Sequence, residues 1–288
     1  MIDENLRILV PLDGSPLAES ILPALMPLVR QQAATLTLMQ VIDRVDEIEP
    51  TRAYLSRLER DLERDGVEAL PRVEFGGPVE EILHQAQPKR HDLVAMTTHG
   101  RTGLRRAIMG SVAEEVLRHS KVPLVLNRPG AKIGDWKRIV VALDGSPASE
   151  AILDEAVRLA LLLKVKATLH VVRVTLPLLP TSDMYFEPPP SVREDPQPYL
   201  DEICTRLAKQ GLLAVAAVRE GFAGQEVVKY AEEIGADLIG MMTQGKSGLP
   251  RLLAGSVAEE VLRSAPCPVL IRRWMSVPSE ATRASALP

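Results

Sequence analysis

An α/β fold of two domains, each with a parallel sheet, is predicted by three observations. Short apolar runs alternate with helical patterns along the whole chain. Many of those runs are nearly continuous, as in strands buried on both faces. And the pattern occurs twice: residues 97–118 (TTHGRTGLRRAIMGSVAEEVLR) return as 242–263 (MTQGKSGLPRLLAGSVAEEVLR), with Gly110–Arg118 and Gly255–Arg263 identical.

Leu6–Leu12 is the first strand, and its counterpart is Ile139–Leu143. Each ends in Asp-Gly-Ser-Pro, at Asp13 and at Asp144. Serine followed by proline is a helix start, so helices are expected over Leu17–Gln31 and Ala148–Leu163. Pro11 suits only the end of a strand. Second strands come next at Thr35–Ile42 and Thr168–Val174, read without a gap at an offset of 131, which equates Val41 with Val172.

At the repeated loop the offset is 145 (Gly100 to Gly245), so fourteen residues have entered the second half, and the proline-rich stretch 175–198 accounts for them. Its Met184, Tyr185 and Phe186 suit either a surface loop or a lid. The first half has a shorter, mostly helical segment at Asp43–Asp65. Third strands lie near Val73–Phe75 and Leu213–Val218, with helices near Val79–Gln87 and Glu226–Glu233. After each repeated loop and helix come closing strands at Val122–Asn127 and Pro268–Arg272. The domains are 1–130 and 137–274, the linker is 131–136, and the tail 275–288 is expected to be disordered.

With 288 residues, 46% apolar and 25% charged, the chain has cores for two globular domains. A net charge of −4 argues against nucleic acid as a partner, and two Trp, four Tyr and three Phe are too few for a base-stacking platform. Cys204 and Cys267 stand alone, so neither disulfide nor zinc is expected. No apolar run has membrane-spanning length and the start is no signal peptide. The expected location is the cytoplasm.

Ligands of such sheets bind beyond the carboxyl ends of the strands. Asp13, Val41 and the loop at Gly100 and Gly103 converge there, as do Asp144, Val172 and the loop at Gly245 and Gly248. An aspartate there can accept from a ribose or an adenine amino group, or simply form the turn before Gly14. A glycine loop leading into a helix favours phosphate. Ser111-x-x-Glu114 also has capping-box spacing. Val112, Val116 and Leu117 are expected to form the helix's buried face, and Glu114 and Arg118 an exposed pair. His99 becomes Gln244 in the second copy, which excludes an imidazole essential to both.

The VPLDGS and VALDGS starts, the two glycine-loop blocks and the closing VPLVLNR and CPVLIRR together resemble the universal stress protein family in a tandem form. The resemblance implies Rossmann-like sheets of order 3-2-1-4-5, ATP with magnesium, and antiparallel pairing of the two closing strands as an internal pseudo-dimer; the chain is then either a monomer with an internal two-fold or a homodimer with a further contact through 175–198. It implies nucleotide-binding roles for Pro11, Leu12, Asp13, Val41, Thr97, Gly100, Arg101, Gly103, Gly110, Ser111 and Val112. In the second half it implies the same for Ala142, Leu143, Asp144, Val172, Gly245, Lys246, Gly248, Gly255, Ser256 and Val257. The first glycine of the family's ATP motif is replaced, by Thr97 and by Met242. Thr97 is small enough for the first site to survive, whereas Met242 has the bulk to crowd the second. Pro250 in place of Arg105 stiffens the second loop, and Arg105 with Arg106 makes the first the more basic.

The expected function is regulatory adenine-nucleotide binding in the first half, with the second as a further candidate. The alternative is an interaction scaffold of the same fold that binds no nucleotide. No SGGxDS, HIGH or KMSKS signature and no recurring Ser-His-Asp or Cys-His set is present, so a dedicated enzyme is not expected, slow ATP hydrolysis aside.

Overall fold

The computed structural model describes residues 5–30, 34–98, 109–163, 166–176, 195–243 and 255–273. The glycine loops, most of the 175–198 stretch and the tail lie outside them. Five strands form the first half: β1 (Leu6–Pro11), β2 (Ala34–Ile42), β3 (Ala69–Phe75), β4 (Leu93–Thr97) and β5 (Leu124–Asn127). The second half has β6 (Arg138–Leu143), β7 (Thr168–Thr175), β8 (Leu213–Glu220), β9 (Leu238–Met242) and β10 (Val269–Arg272). All ten make one sheet of order β3-β2-β1-β4-β5-β10-β9-β6-β7-β8. Each half therefore has the expected 3-2-1-4-5 order and is parallel throughout. The halves join where β5 and β10 pair antiparallel, with Val269 opposite Leu126 and Ile271 opposite Leu124.

Strand alternation sends successive side chains to opposite faces. One face is covered by α1 (Pro16–Glu19), α2 (Leu22–Val29), α3 (Ile48–Arg64), α6 (Pro147–Leu162) and α7 (Gln197–Lys209). The other is covered by α4 (Pro78–Gln85), α5 (Ser111–His119), α8 (Ala223–Ile234) and α9 (Ser256–Ser264). Each apolar layer runs unbroken across the junction between halves.

Both Asp-Gly-Ser-Pro starts fold as read. Ser15 Oγ accepts from the Ala18 N–H at 3.1 Å, and Ser146 Oγ from the Ser149 N–H at 3.1 Å. The helices that these serines open are not alike. The single helix expected over Leu17–Gln31 is two, α1 and α2, broken at Ser20–Ile21. Pro23 has no N–H for the Glu19 carbonyl, and its ring clashes with the preceding turn. The positions of Pro23 and Pro27 are taken in the second half by Asp154 and Arg158, and α6 runs uninterrupted for 16 residues.

The second strands carry a further correction. Leu6 pairs with Ala34, 28 residues on, but Arg138 pairs with Thr168, 30 residues on. Two of the extra residues therefore precede β7. Ala34-Thr35-Leu36 superposes on Ala167-Thr168-Leu169, and the counterpart of Val41 is Val174, not Val172. Pro11 does end its strand, and the ladder closes beyond it with Leu12 N–H donating to Met39 O at 2.7 Å.

The residues joining the halves are anchored. Lys132 N–H donates to Pro266 O at 2.7 Å, and Trp136 is fully buried in the α1/α6 layer with φ 56°. Asp237 Oδ2 accepts the N–H groups of Lys137 and Arg138 at 2.9 and 3.0 Å. Asp92 binds Arg7 within its own half at 3.0 Å and Arg158 of the other at 3.4 Å. Burial pushes its carboxyl pKa up, but the Arg7 hydrogen bonds and the Arg158 charge outweigh that and hold it below the usual range.

Candidate functional site

A cavity of about 590 Å³ opens beyond the carboxyl ends of β1, β2 and β4. Between β1 and β4 the strand order reverses, which leaves the crevice such sheets use for ligands. Pro11, Leu12 and Asp13 enter from β1, Val41 from β2, Thr97 from β4, and Gly110, Ser111 and Val112 from the start of α5. The structure thus brings together eight of the positions singled out in the first half. Gly100, Arg101 and Gly103 lie outside the described residues. Sequence reasoning missed Gln40, Asp43, Glu47 and Met96, which also line the cavity. The neighbouring Val41 was the signal for Gln40, because the end of a strand exposes both of its faces.

Asp13 forms the turn: its Oδ1 accepts from the Ser15 N–H at 2.9 Å and the Ser15 hydroxyl at 2.6 Å. Asp144 does the same with Ser146, at 2.9 and 2.5 Å. That role fixes each carboxylate beside the end of its strand, which in the first half is the wall of the cavity.

At α5 the N-cap is Gly110, with φ −70° and ψ 150°, and no side chain caps it. The capping box expected at Ser111 is therefore not formed. Ser111 is already the first helical residue, and Gly110 supplies the extended conformation a cap requires. Ser111 is exposed at the cavity. Ala113, not Val112, joins Val116 and Leu117 on the buried face, and Val112 is left at the cavity wall. The Glu114–Arg118 pair is present at 3.5 Å. Gly110 N–H donates to Thr98 O at 2.7 Å, closing the loop at its return.

In the second half Gly255 N–H repeats that closure to Thr243 O at 2.8 Å, and a side chain on Gly255 would meet that oxygen at 3.2 Å. Ala142 and Leu143 end β6, with Asp144 one residue beyond. Ser256 and Val257 open α9. Val172 is fully buried, whereas Val174 is half-buried against the α8/α9 layer, as Val41 is against α4/α5. Met242, the counterpart of Thr97, packs into the α6/α7 layer, and its neighbour Met241 faces α8 and α9. Gly245, Lys246 and Gly248 lie outside the described residues.

Fold and cavity together define a tandem α/β protein with a crevice at the carboxyl edge of its sheet. The Universal stress protein family is matched twice, over residues 4–128 and again over 135–273. The chain belongs to the universal stress protein family. A relative from Methanocaldococcus jannaschii is 34% identical over 141 residues, covering 47% of this chain and 81% of its own length. A universal stress protein of Mycobacterium tuberculosis is 30% identical over 194 residues, covering 63% and 62%. The crystal structure of a universal stress protein from Archaeoglobus fulgidus shares the fold with TM-score 0.71 and 22% identity, covering 94% of this chain and 97% of that one.

Proposed function

We propose that the chain is a regulatory protein that binds an adenine nucleotide, ATP with magnesium, in the first-half cavity, with the second half as a further candidate. The observation that carries this reading is the convergence of Asp13, Val41, Gly110 and Ser111 on one crevice. In this reading Asp13 receives the ribose, the β2 backbone at Val41 reads the adenine edge, and the N–H groups at the start of α5 receive phosphate oxygens. The chain works in the cytoplasm as a binding protein, with at most slow ATP hydrolysis, and a homodimer extends the internal pair. Among the described residues no helix is long and apolar enough to cross a membrane, and no group of His, Cys, Asp or Glu has the geometry to hold a metal ion. Magnesium would therefore arrive with the nucleotide's own phosphates.

The test is to purify the chain natively, denature it and quantify released nucleotide per chain, then titrate ATP with magnesium. One equivalent, lost when Gly110 is replaced by a bulky residue, supports the reading. No released nucleotide and no saturable titration would replace it with the interaction scaffold.

A further inference from the structure

The strand register makes Gln40 of the first half and Arg173 of the second the same position. Gln40 lines the cavity, and its Oε1 is buried with no hydrogen-bond partner among the described residues. That position therefore faces ligand space in the first half, with a polar group held ready and unused. In the second half it carries a cation. Arg173 is only 8% exposed, and its guanidinium makes no hydrogen bond or ion pair among the described residues. It lies against the face of Tyr199, 5.4 Å from the ring centroid. A side chain on Gly145 would meet it at 3.0–3.3 Å, which puts it under the Asp144–Ser146 turn at the N-terminus of α6.

Of the carboxylates around Tyr199, Glu150 is paired with Arg206 at 2.7 Å, and Asp144 holds the Ser146 turn through Oδ1. A guanidinium withdrawn from water without an ionic partner costs several kcal/mol in general, and such groups are found paired. The planar fork suits a phosphoryl group, and the start of a 16-residue helix favours the same charge.

We propose that the second half holds an anion site centred on Arg173, which takes the phosphoryl group of a small molecule at the turn before α6. The first half, with Gln40 there, lacks it. The two halves then bind ligands of different charge distribution. The first-half cavity serves only to show that the position faces ligand space, so the site is tested without nucleotide.

The full chain is titrated with inorganic phosphate by calorimetry at low ionic strength, with chloride as control, for wild type, Arg173→Gln, Arg57→Gln and Gly110→Val. Wild type is expected to bind saturably, and Arg173→Gln to weaken binding by ~10-fold or more, the loss of a charge-assisted pair. Arg57→Gln and Gly110→Val should leave the Arg173-dependent binding within about twofold, since neither removes such a contact. Should the glutamine variant fail to fold, Arg173→Lys, which keeps the charge and loses the fork, is read in its place and is also expected to bind more weakly. Equal phosphate affinity in the Arg173 variant, or no saturable binding by wild type, overturns the proposal. Gly110→Val separates it from the nucleotide reading, because that variant blocks the first-half phosphate position alone.

Discussion

Arg128, just past β5, donates from Nε to the carbonyl oxygen of Ala265 at 2.7 Å, at the end of the other half's last helix. Its repeat counterpart Arg273, just past β10, donates to the carbonyl of Arg118 in α5. Each half therefore places a cation at the negative end of its neighbour's closing helix, where orphan carbonyls need donors. The exchange is reciprocal about the β5–β10 junction, as in an isologous dimer interface.

Replacing Arg128 with alanine should lower unfolding stability by about 1–2 kcal/mol, the scale of a part-buried charge-assisted hydrogen bond. Urea unfolding would measure it. Arg128→Ala with Arg273→Ala should cost the sum of the two, because they serve different helices. A double variant no less stable than wild type would remove this role.

Gly145 and Gly211 both have φ +80°, but only Gly145 has Arg173 against it; Gly211 meets nothing within 4 Å. Both alanine substitutions carry the left-handed cost of about 1–2 kcal/mol. Gly145→Ala should lose roughly 1 kcal/mol more from the close contact. Thermal melting of the two variants side by side reads the difference.

His91 is buried, with its Nδ1 2.9 Å from Gln85 O and its Nε2 3.0 Å from Thr37 Oγ1. The carbonyl can only accept, so Nδ1 carries the proton and the Thr37 hydroxyl donates to Nε2. Burial is the main reason its pKa lies below the ordinary value, and the charges of Arg7 and Arg72 add to it. The unfolded chain then takes up the proton first, at about pH 6.5, so stability is full above that pH and falls as pH drops toward the lower folded value. His91→Gln should flatten the wild-type decline between about pH 7 and 5, as measured by urea unfolding at each pH.

Cys267 lies in the α8/α9 layer, where burial pushes its thiol up to about 12, and Asp237 adds to the shift. A thiol-specific disulfide reagent at pH 8 should leave it unmodified in the folded protein and label it once the chain is denatured. Cys204, half-buried and also raised by burial, should react faster than Cys267. Prompt labelling of both in native buffer would contradict the packing.

Much of this was legible because a parallel sheet writes its strands as apolar runs and the repeat supplied a second copy of each. The errors have local causes. Pro23 signals a break in the first helix, but the apolar periodicity on either side hides it. Counting from the Asp-Gly-Ser-Pro start equates Val172 with Val41, whereas the shared Ala-Thr-Leu opening of the second strands marks the true register. Capping-box spacing at Ser111 is real, yet Gly110 adopts the extended conformation and takes the cap. The reach of Arg128 and Arg273 was not legible, since it exists only once the two closing strands lie side by side.

The antiparallel seam between β5 and β10 also sets how the two copies meet. Two separate subunits would pair there only by mass action, and both would carry the same sequence. Here the encounter is intramolecular and independent of protein concentration. Joined in one polypeptide, the copies are also released from identity: Gln40 and Arg173 occupy one structural address with different chemistry, an asymmetry no homodimer can encode.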